Sequence, residues 1–374
     1  MSKVTPSYIN KWMLPLSWLY GMVVFIRKKL FDWRILKQVQ YNVPVICVGN
    51  LTVGGTGKTP HIEYLVGLLK DRYRVAVLSR GYKRKSKGFV LATDSTNYQK
   101  IGDEPHQIKL KFPDIIVAVD ENRRHGIETL LAMKDAPDII LLDDAFQHRY
   151  VKPSLSILLS NYNRPVYTDK MLPAGRLREP ASGMERANIV VVSKCPDTLK
   201  PIDMRIINHE LNLFPYQTLV FTTTKYGNLV AMFNRKDLFN RIERPLETIK
   251  DKNVLLIAGI ASPELLVDEI KKYTSSVKLL EYPDHHNFSA KDIKEIENEF
   301  QNMGDKTITI LTEKDAARLT NGNGLSEKLK SSMYYLPVEI SFLQKEEEEI
   351  FNKKINKHVD KNTGNGQICQ DEGF

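Results

Sequence analysis

The stretch Val45-Ile46-Cys47-Val48-Gly49-Asn50-Leu51-Thr52-Val53-Gly54-Gly55-Thr56-Gly57-Lys58-Thr59-Pro60 decides the fold. Its apolar start predicts a buried strand, and Gly57-Lys58-Thr59 opens a helix after a glycine-rich turn. Backbone N–H groups of such a turn converge on an anion, and the helix N-terminus adds positive potential there. Lys58 would reach the outer phosphates of a nucleotide, and the Thr59 hydroxyl would hold Mg²⁺. The usual first glycine of the pattern, five positions before Gly57, is here Thr52. A plain glycine-rich turn is therefore the competing reading, and the strand before and helix after favour phosphate binding.

Composition sets the frame around this loop. A chain of 374 residues with 42% hydrophobic side chains suits two domains with sizeable cores. Cys47, Cys195 and Cys369 have no metal-ligand spacing, which predicts a reduced, cytosolic setting. The net charge is +9, and residues 1–40 hold seven basic side chains against Asp32 alone. Charge this concentrated predicts an anionic partner surface, either membrane or nucleic acid.

The apolar company of those charges separates the two. Residues 12–26, Trp-Met-Leu-Pro-Leu-Ser-Trp-Leu-Tyr-Gly-Met-Val-Val-Phe-Ile, fall short of the ~20 needed to span a bilayer. Pro15 and Gly21 interrupt the run, and Arg27-Lys28-Lys29 closes it. Trp and Tyr beside cations suit the headgroup boundary, so an interfacial anchor is expected and nucleic acid is not. A core helix at the domain edge is the alternative. No small-residue cleavage site follows, which argues against a signal peptide.

Further along, short runs rich in Val, Ile and Leu alternate with helical patterns. Residues 43–48, 74–79, 115–119, 139–142, 155–159 and 189–193 read as strands, with a helix over 61–70. Continuous apolar strands separated by helices predict a parallel sheet covered on both faces. A second α/β set follows, with strands near 254–257, 277–282 and 308–311. The fold class expected is α/β: a P-loop NTPase-like parallel sheet domain plus a smaller second α/β domain, joined by a two-stranded linker, with an N-terminal membrane-associating helix. The expected boundaries are 1–37 for the helix, 38–215 for the P-loop domain and 216–235 for a linker hairpin around Lys225-Tyr226-Gly227. The second domain would cover 236–345, and 346–374 a charged helix with a disordered polar tail.

Several motifs offer chemistry. Asp138-Ile139-Ile140-Leu141-Leu142-Asp143-Asp144 delivers two carboxylates at a strand's C-terminal end, where open α/β sheets bind ligands. In a P-loop enzyme an acid there completes the Mg²⁺ shell, whereas alone it is a solvated turn. Gly102-Asp103-Glu104-Pro105 reads as a helix start. Asp284-His285-His286 could hold a metal, act as a base or decorate the surface, and no third ligand supports zinc. Arg176 and Arg178 lie in the turn-rich Leu172–Pro180 segment, and guanidinium forks suit phosphates. Arg80 to Lys87 is a basic run after a strand, and Thr312-Glu313-Lys314-Asp315 reads as a charged loop.

In their order, these motifs closely resemble the tetraacyldisaccharide 4′-kinase family of lipid A biosynthesis. The resemblance rests on Pro15–Gly21, Val48–Pro60, Ser79-Arg80-Gly81-Tyr82, Gly102-Asp103-Glu104-Pro105, Asp143-Asp144-Ala145-Phe146-Gln147-His148, Leu172-Pro173-Ala174-Gly175 with Arg178-Glu179, Asp284-His285 and Thr312-Glu313-Lys314-Asp315. It runs from about residue 13 to 337. It implies a kinase on the cytoplasmic face of the bacterial inner membrane, peripheral and monomeric. The donor would be ATP with Mg²⁺, and the acceptor the 4′-hydroxyl of an acylated disaccharide 1-phosphate lipid, giving lipid IVA. The family has two α/β/α domains with the active site between them.

By the same resemblance, Gly54, Gly55, Thr56, Gly57, Lys58 and Thr59 bind the nucleotide, and Thr59, Asp143, Asp144 and Glu104 hold the metal. Asp103 is the base, His285 its partner, and Lys58, Asp143 and Asp144 complete the catalytic set. Asn50, Arg80, Glu104, Gln147, His148, Arg176 and Arg178 face the substrate, with Arg178 supporting phosphate charge. Ala145 stands where the family usually has Gly, so the loop after Asp144 must avoid a positive φ there or accept strain. A membrane-cycling P-loop NTPase switch is the rival reading. Its loops carry Lys where Val53 stands, and it leaves Asp103 and His285 without a task.

Overall fold

The computed structural model describes residues 9–233, 242–260, 263–283, 286–319 and 324–363. The chain forms two compact units: one ends at Thr224 and resumes at Ile340, and the other is Lys225–Glu339.

The first unit is built on β1 (Val45–Asn50), β2 (Val75–Ser79), β3 (Val90–Leu91), β4 (Ile116–Val119), β5 (Ile139–Asp143), β6 (Leu155–Asn161), β7 (Ile189–Ser193) and β8 (Thr218–Tyr226). With the late strand Val338–Phe342 they make one nine-stranded sheet, ordered Val338–Phe342, β8, β7, β6, β1, β5, β2, β4, β3. The pairs from β8 to β4 are parallel, and β3 runs antiparallel to β4.

All six residues of β1 are buried. Val45 and Cys47 enter one core with Leu78, Ile140 and Leu142, while Ile46 and Val48 enter the other with Ile62, Leu65 and Leu141. Side chains alternate across a strand, so two cores on one strand mean a sheet covered on both faces. The chain leaves β1 for β2 on one side and returns from β5 to β6 on the other. The C-terminal end of β1 is therefore the point where strand order reverses, the usual place for a ligand in an open α/β sheet.

Helix Lys58–Leu69 starts three residues earlier than the apolar pattern suggested. Its buried Glu63 accepts from Gln107 Nε2 at 2.8 Å and pairs with Lys111 Nζ at 2.6 Å. Both partners lie on helix Asp103–Lys111, so the helix behind the phosphate loop and the helix headed by Asp103 are fixed to each other.

The charged C-terminal stretch forms helix Lys345–Thr363. Phe351, Ile355 and Val359 recur every fourth residue and sit in the same core as Ile62 and Leu65. His358 Nε2 lies 3.0 Å from Ser154 Oγ, and Tyr64 OH lies 3.0 Å from both Glu348 and Asn352.

The expected hairpin over 216–235 does not form. β8 lies in the first sheet beside β7 and Val338–Phe342, whereas Leu229–Ala231 pairs antiparallel with Glu243–Arg244 and Met333–Leu336 in the second. The Gly227 N–H donates to the Pro337 carbonyl at 3.0 Å, so the returning chain takes the place of a hairpin partner. The two segments that cross between units, at residues 224–225 and 339–340, belong to β8 and Val338–Phe342.

The second unit has a six-stranded sheet ordered Glu243–Arg244, Leu229–Ala231, Met333–Leu336, Thr307–Thr312, Asn253–Ala258, Val277–Glu281. Helix Ala290–Asn302 starts with a capping box between Ser289 and Asp292, and His286 donates to the same Asp292 at 2.9 Å. Thr312-Glu313-Lys314-Asp315 is no exposed loop. Asp315 is fully buried, accepts from Thr312 Oγ1 and the Gly259 N–H, and pairs with Arg318.

Helix Leu14–Asp32 is not a core helix. Only Ser17 and Phe31 are buried, while Trp12 is 94% and Trp18 75% exposed, with Leu16, Leu19, Val23, Phe25 and Ile26 exposed beside them. Ser17 Oγ donates to the Met171 carbonyl at 2.7 Å and Tyr20 OH to the Arg178 carbonyl at 2.9 Å. Arg149 stacks on Phe31 and pairs with Asp32 at 2.9 Å. No described helix is long and apolar enough to cross a membrane.

Phe351→Ala should destabilise the first unit by ~3–5 kcal/mol in urea titration, the cost of emptying a fully buried aromatic site. A loss under ~1 kcal/mol would mean that helix Lys345–Thr363 is not part of the core.

Candidate active site

The phosphate loop is shaped by close backbone approach. A Cβ at Gly49 would lie 2.6 Å from Phe146 Cβ, so this strand position must be glycine for the loop after β5 to pass. Gly54 and Gly57 take φ of 117° and 83°, the left-handed region open to glycine at no steric cost. Thr52 takes no such angle. It is buried, forms an antiparallel bridge with Leu177, and its neighbours bond the same segment: Val53 N–H to the Arg176 carbonyl at 2.8 Å and Arg178 N–H to the Leu51 carbonyl at 2.7 Å. A glycine is unnecessary where the loop's first arm is extended. Asn50 Nδ2 then donates to Thr56 Oγ1 at 2.9 Å across the buried base of the loop, which places Asn50 in its support.

The register of β1 with β5 sets Asp143 beside Val48, next to the start of this loop. Asp143 is buried. Its Oδ2 accepts from Ser79 Oγ at 3.0 Å, and its Oδ1 finds no hydrogen-bond partner among the described residues. Burial, then the charges of Glu104 and Asp144, push its carboxyl well above the usual range against the pull of Lys58.

Asp144 is its opposite. Burial would raise it, but Lys58 and Arg178 outweigh this and hold it below the ordinary value. Lys58 Nζ lies 3.6 Å from Oδ1, and Arg178 Nη1 lies 3.3 and 3.2 Å from the two oxygens. Asp144 itself adopts φ 46°, which aspartate tolerates better than most residues, and so Ala145 escapes the left-handed region. The adjacent acids are thus separated by environment, one strained toward protonation and one held ionised.

Asp103 and Glu104 open helix Asp103–Lys111 after Gly102, whose φ is 91°. Gly102 packs on Gly81 of Ser79-Arg80-Gly81-Tyr82: a Cβ there would meet the Tyr82 carbonyl at 3.0 Å and Gly81 Cα at 3.3 Å. These paired glycines bring the loop after β2 against the start of the Asp103 helix. Asp103 and Glu104 are half-buried, and the Glu104 charge is felt at Asp143. Among the described residues, no three His, Cys, Asp or Glu side chains form a metal centre by themselves.

The remaining expected residues divide. Gln147 is a strut: its Nε2 donates to the Asn50 carbonyl at 2.6 Å and to Glu179 at 3.1 Å, and its Oε1 accepts from Arg178 at 3.3 Å. Arg178 is thereby shared between Gln147 and Asp144. Arg80 and Arg176 are exposed. His148 is pushed down to about 4 by burial and by Arg123, Arg27 and Arg80. His285 lies outside the described residues.

Three residues near the site carry no motif signal. Arg123 is buried and donates to the Asp143 carbonyl at 3.4 Å. Lys194, with φ 59°, brings Nζ within 3.7 Å of where a Gly55 Cβ would stand. His61 packs under Gly57. Only the fold brings them to the loop.

Known proteins resemble this chain over nearly its whole length. The sequence profile of the family described as Tetraacyldisaccharide-1-P 4′-kinase matches residues 9–359. The Tetraacyldisaccharide 4′-kinase of Bacteroides thetaiotaomicron is 51% identical over 369 residues, covering 97% of each chain. That of Porphyromonas gingivalis is 46% identical over 93% of this chain and 96% of its own. The crystal structure of LpxK from Aquifex aeolicus in complex with ATP superposes with a TM-score of 0.73 at 29% identity, covering 93% of this chain and 98% of that one. With residues 9–359 matched by the family profile and relatives about half identical over nearly the whole length, this chain belongs to the tetraacyldisaccharide-1-phosphate 4′-kinase family.

Proposed function

We propose that this chain transfers the γ-phosphate of ATP to the 4′-hydroxyl of a tetraacylated disaccharide 1-phosphate, acting as a monomer on the cytoplasmic face of the inner membrane. Besides family membership, one observation carries the reading: a buried acid with an unbonded oxygen, Asp143, ends the strand beside a phosphate loop.

That oxygen suits a divalent cation. Thr59, in the first turn of its helix, and Asp143 would hold Mg²⁺, with Glu104 nearby as further negative charge. Mg²⁺ takes few protein ligands and keeps waters and phosphate oxygens, so a site without three acids fits it. Bound with ATP, Mg²⁺ supplies neutralisation of the β- and γ-phosphates. The loop N–H groups and Lys58 bind the phosphates, and Asp144 with Arg178 keeps Lys58 aimed at them. Asp103 accepts the proton of the acceptor hydroxyl, which is a weak nucleophile at neutral pH. His285 is its partner by family resemblance.

The N-terminal helix supplies the membrane contact. Leu16, Leu19, Val23 and Ile26 recur at helical spacing on its exposed surface, and Arg27, Lys28 and Lys29 follow. A lipid with four acyl chains stays in the bilayer, so an enzyme lying in the interface meets it there.

Purified protein with Mg²⁺-ATP should phosphorylate disaccharide 1-phosphate lipid in micelles at the 4′ position; folded protein that binds ATP yet gives no product contradicts the assignment. Asp103→Ala should lower turnover ~10²–10⁴-fold, and a near-normal rate removes Asp103 as base.

Asp143→Asn tests the metal acid through pH. A carboxyl raised on folding contributes stability that is complete below its unfolded value and lost as pH rises through the folded one. The nucleotide-free variant should therefore melt above the native protein at pH 8, the gap closing toward pH 4, while phosphoryl transfer falls ~10²-fold or more. Equal melting at pH 8 would mean that no buried charge was removed.

Val23→Glu should reduce sedimentation with anionic vesicles several-fold at unchanged melting temperature. Unaltered partitioning would exclude this face from membrane contact.

A further inference from the structure

His61, one turn into helix Lys58–Leu69, is 3% exposed and has both ring nitrogens engaged. Nδ1 lies 2.7 Å from the Gly57 carbonyl oxygen, and Nε2 lies 3.1 Å from Thr222 Oγ1 on β8, itself fully buried. A carbonyl can only accept, so Nδ1 carries the proton and Nε2 accepts from the Thr222 hydroxyl. The Nδ1 bond exists in either charge state of the ring, and the neutral ring completes the pair by accepting from Thr222 at Nε2.

The Gly57 carbonyl has little else to hold it. The His61 backbone N–H reaches it only at 3.4 Å, a long first bond for a helix. Gly57 itself is left-handed, at φ 83°, and has no side chain to fix its peptide. One residue upstream the pattern repeats, because Ser193 Oγ donates to the Thr56 carbonyl at 2.8 Å.

In a trans peptide the C=O and the following N–H point in opposite directions. Holding the Thr56 carbonyl against Ser193 turns the Gly57 N–H the other way, and holding the Gly57 carbonyl against His61 does the same for Lys58 N–H. These are donors that an anion at this helix start needs. We infer that His61, locked by Thr222, is a positioning residue for phosphoryl transfer: it holds the Gly57 carbonyl back and so aims the Lys58 N–H at the nucleotide phosphates. The inference rests on the ATP reading above. It gives β7 and β8 a task at the loop through Ser193 and Thr222, which no motif in the sequence announces.

The test is ATP binding to the full chain by calorimetry, with KM for ATP and for the lipid measured separately. His61→Leu keeps bulk and loses both bonds; ATP affinity should fall about three- to tenfold, KM for ATP should rise alike, and KM for the lipid should hold. His61→Asn, whose amide can donate to the Gly57 carbonyl, should recover most of the loss. Native-like ATP affinity in folded His61→Leu, or an equal rise in both KM values, overturns the inference. If His61→Leu does not fold, Thr222→Val decides: at an unchanged melting temperature it should weaken ATP about twofold or more, and native-like affinity overturns the inference. Native protein that binds no ATP would instead bring down the nucleotide reading, and this one with it.

Discussion

A buried carboxylate that cannot settle its charge lies at the centre of this site. Asp143 accepts from Ser79, and its other oxygen is left unbonded among the described residues in a buried position. A buried acid without full compensation is costly, and such groups persist where the surrounding structure fixes them for function. Here the fixing is visible. β5 is held in register with β1 and β2, Gly49 lets Phe146 pass, and Asp144 turns away into an ion pair with Lys58 and Arg178. The low-energy partner for the unbonded oxygen is a cation that arrives with substrate.

The segment Met171–Arg178 ties this centre to the N-terminal helix. Its carbonyls at Met171 and Arg178 accept from Ser17 and Tyr20, while its backbone bonds the first arm of the phosphate loop at Leu51 and Val53. Gly175 is required there, since a Cβ would collide with the Lys170 carbonyl. One short loop thus touches both the helix that exposes Trp18 and Val23 and the loop read as holding the phosphate donor. Its sequence, Leu-Pro-Ala-Gly-Arg-Leu-Arg, reads alone as a turn with two arginines; its use as a joint emerges from the packing.

Much of the fold was legible because its signals are local. Continuous Val, Ile and Leu runs marked strands buried on both faces, and the glycine-rich turn before Lys58 marked the helix start. The hairpin around Lys225-Tyr226-Gly227 was misjudged because turn residues report a change of direction and not which strand pairs with which. Thr52 looked like a defect for a similar reason: its partner Leu177 is distant in sequence. His61 and Thr222, 161 residues apart, and Arg123 beneath Asp143 carry no spacing pattern at all. The charged helix Lys345–Thr363 hid its apolar stripe of Phe351, Ile355 and Val359 among ten Lys, Glu and Asp residues.

The account's central claim is that the unbonded oxygen of Asp143 belongs to the metal of the phosphate donor. A crystal structure of the protein with Mg²⁺ and a non-hydrolysable ATP analogue tests it most directly. The account predicts Mg²⁺ bound by Thr59 Oγ1 and Asp143 Oδ1, with the β- and γ-phosphates on the loop N–H groups and Lys58. A metal held away from Asp143, with that oxygen still unbonded or protonated beneath the phosphates, would contradict it.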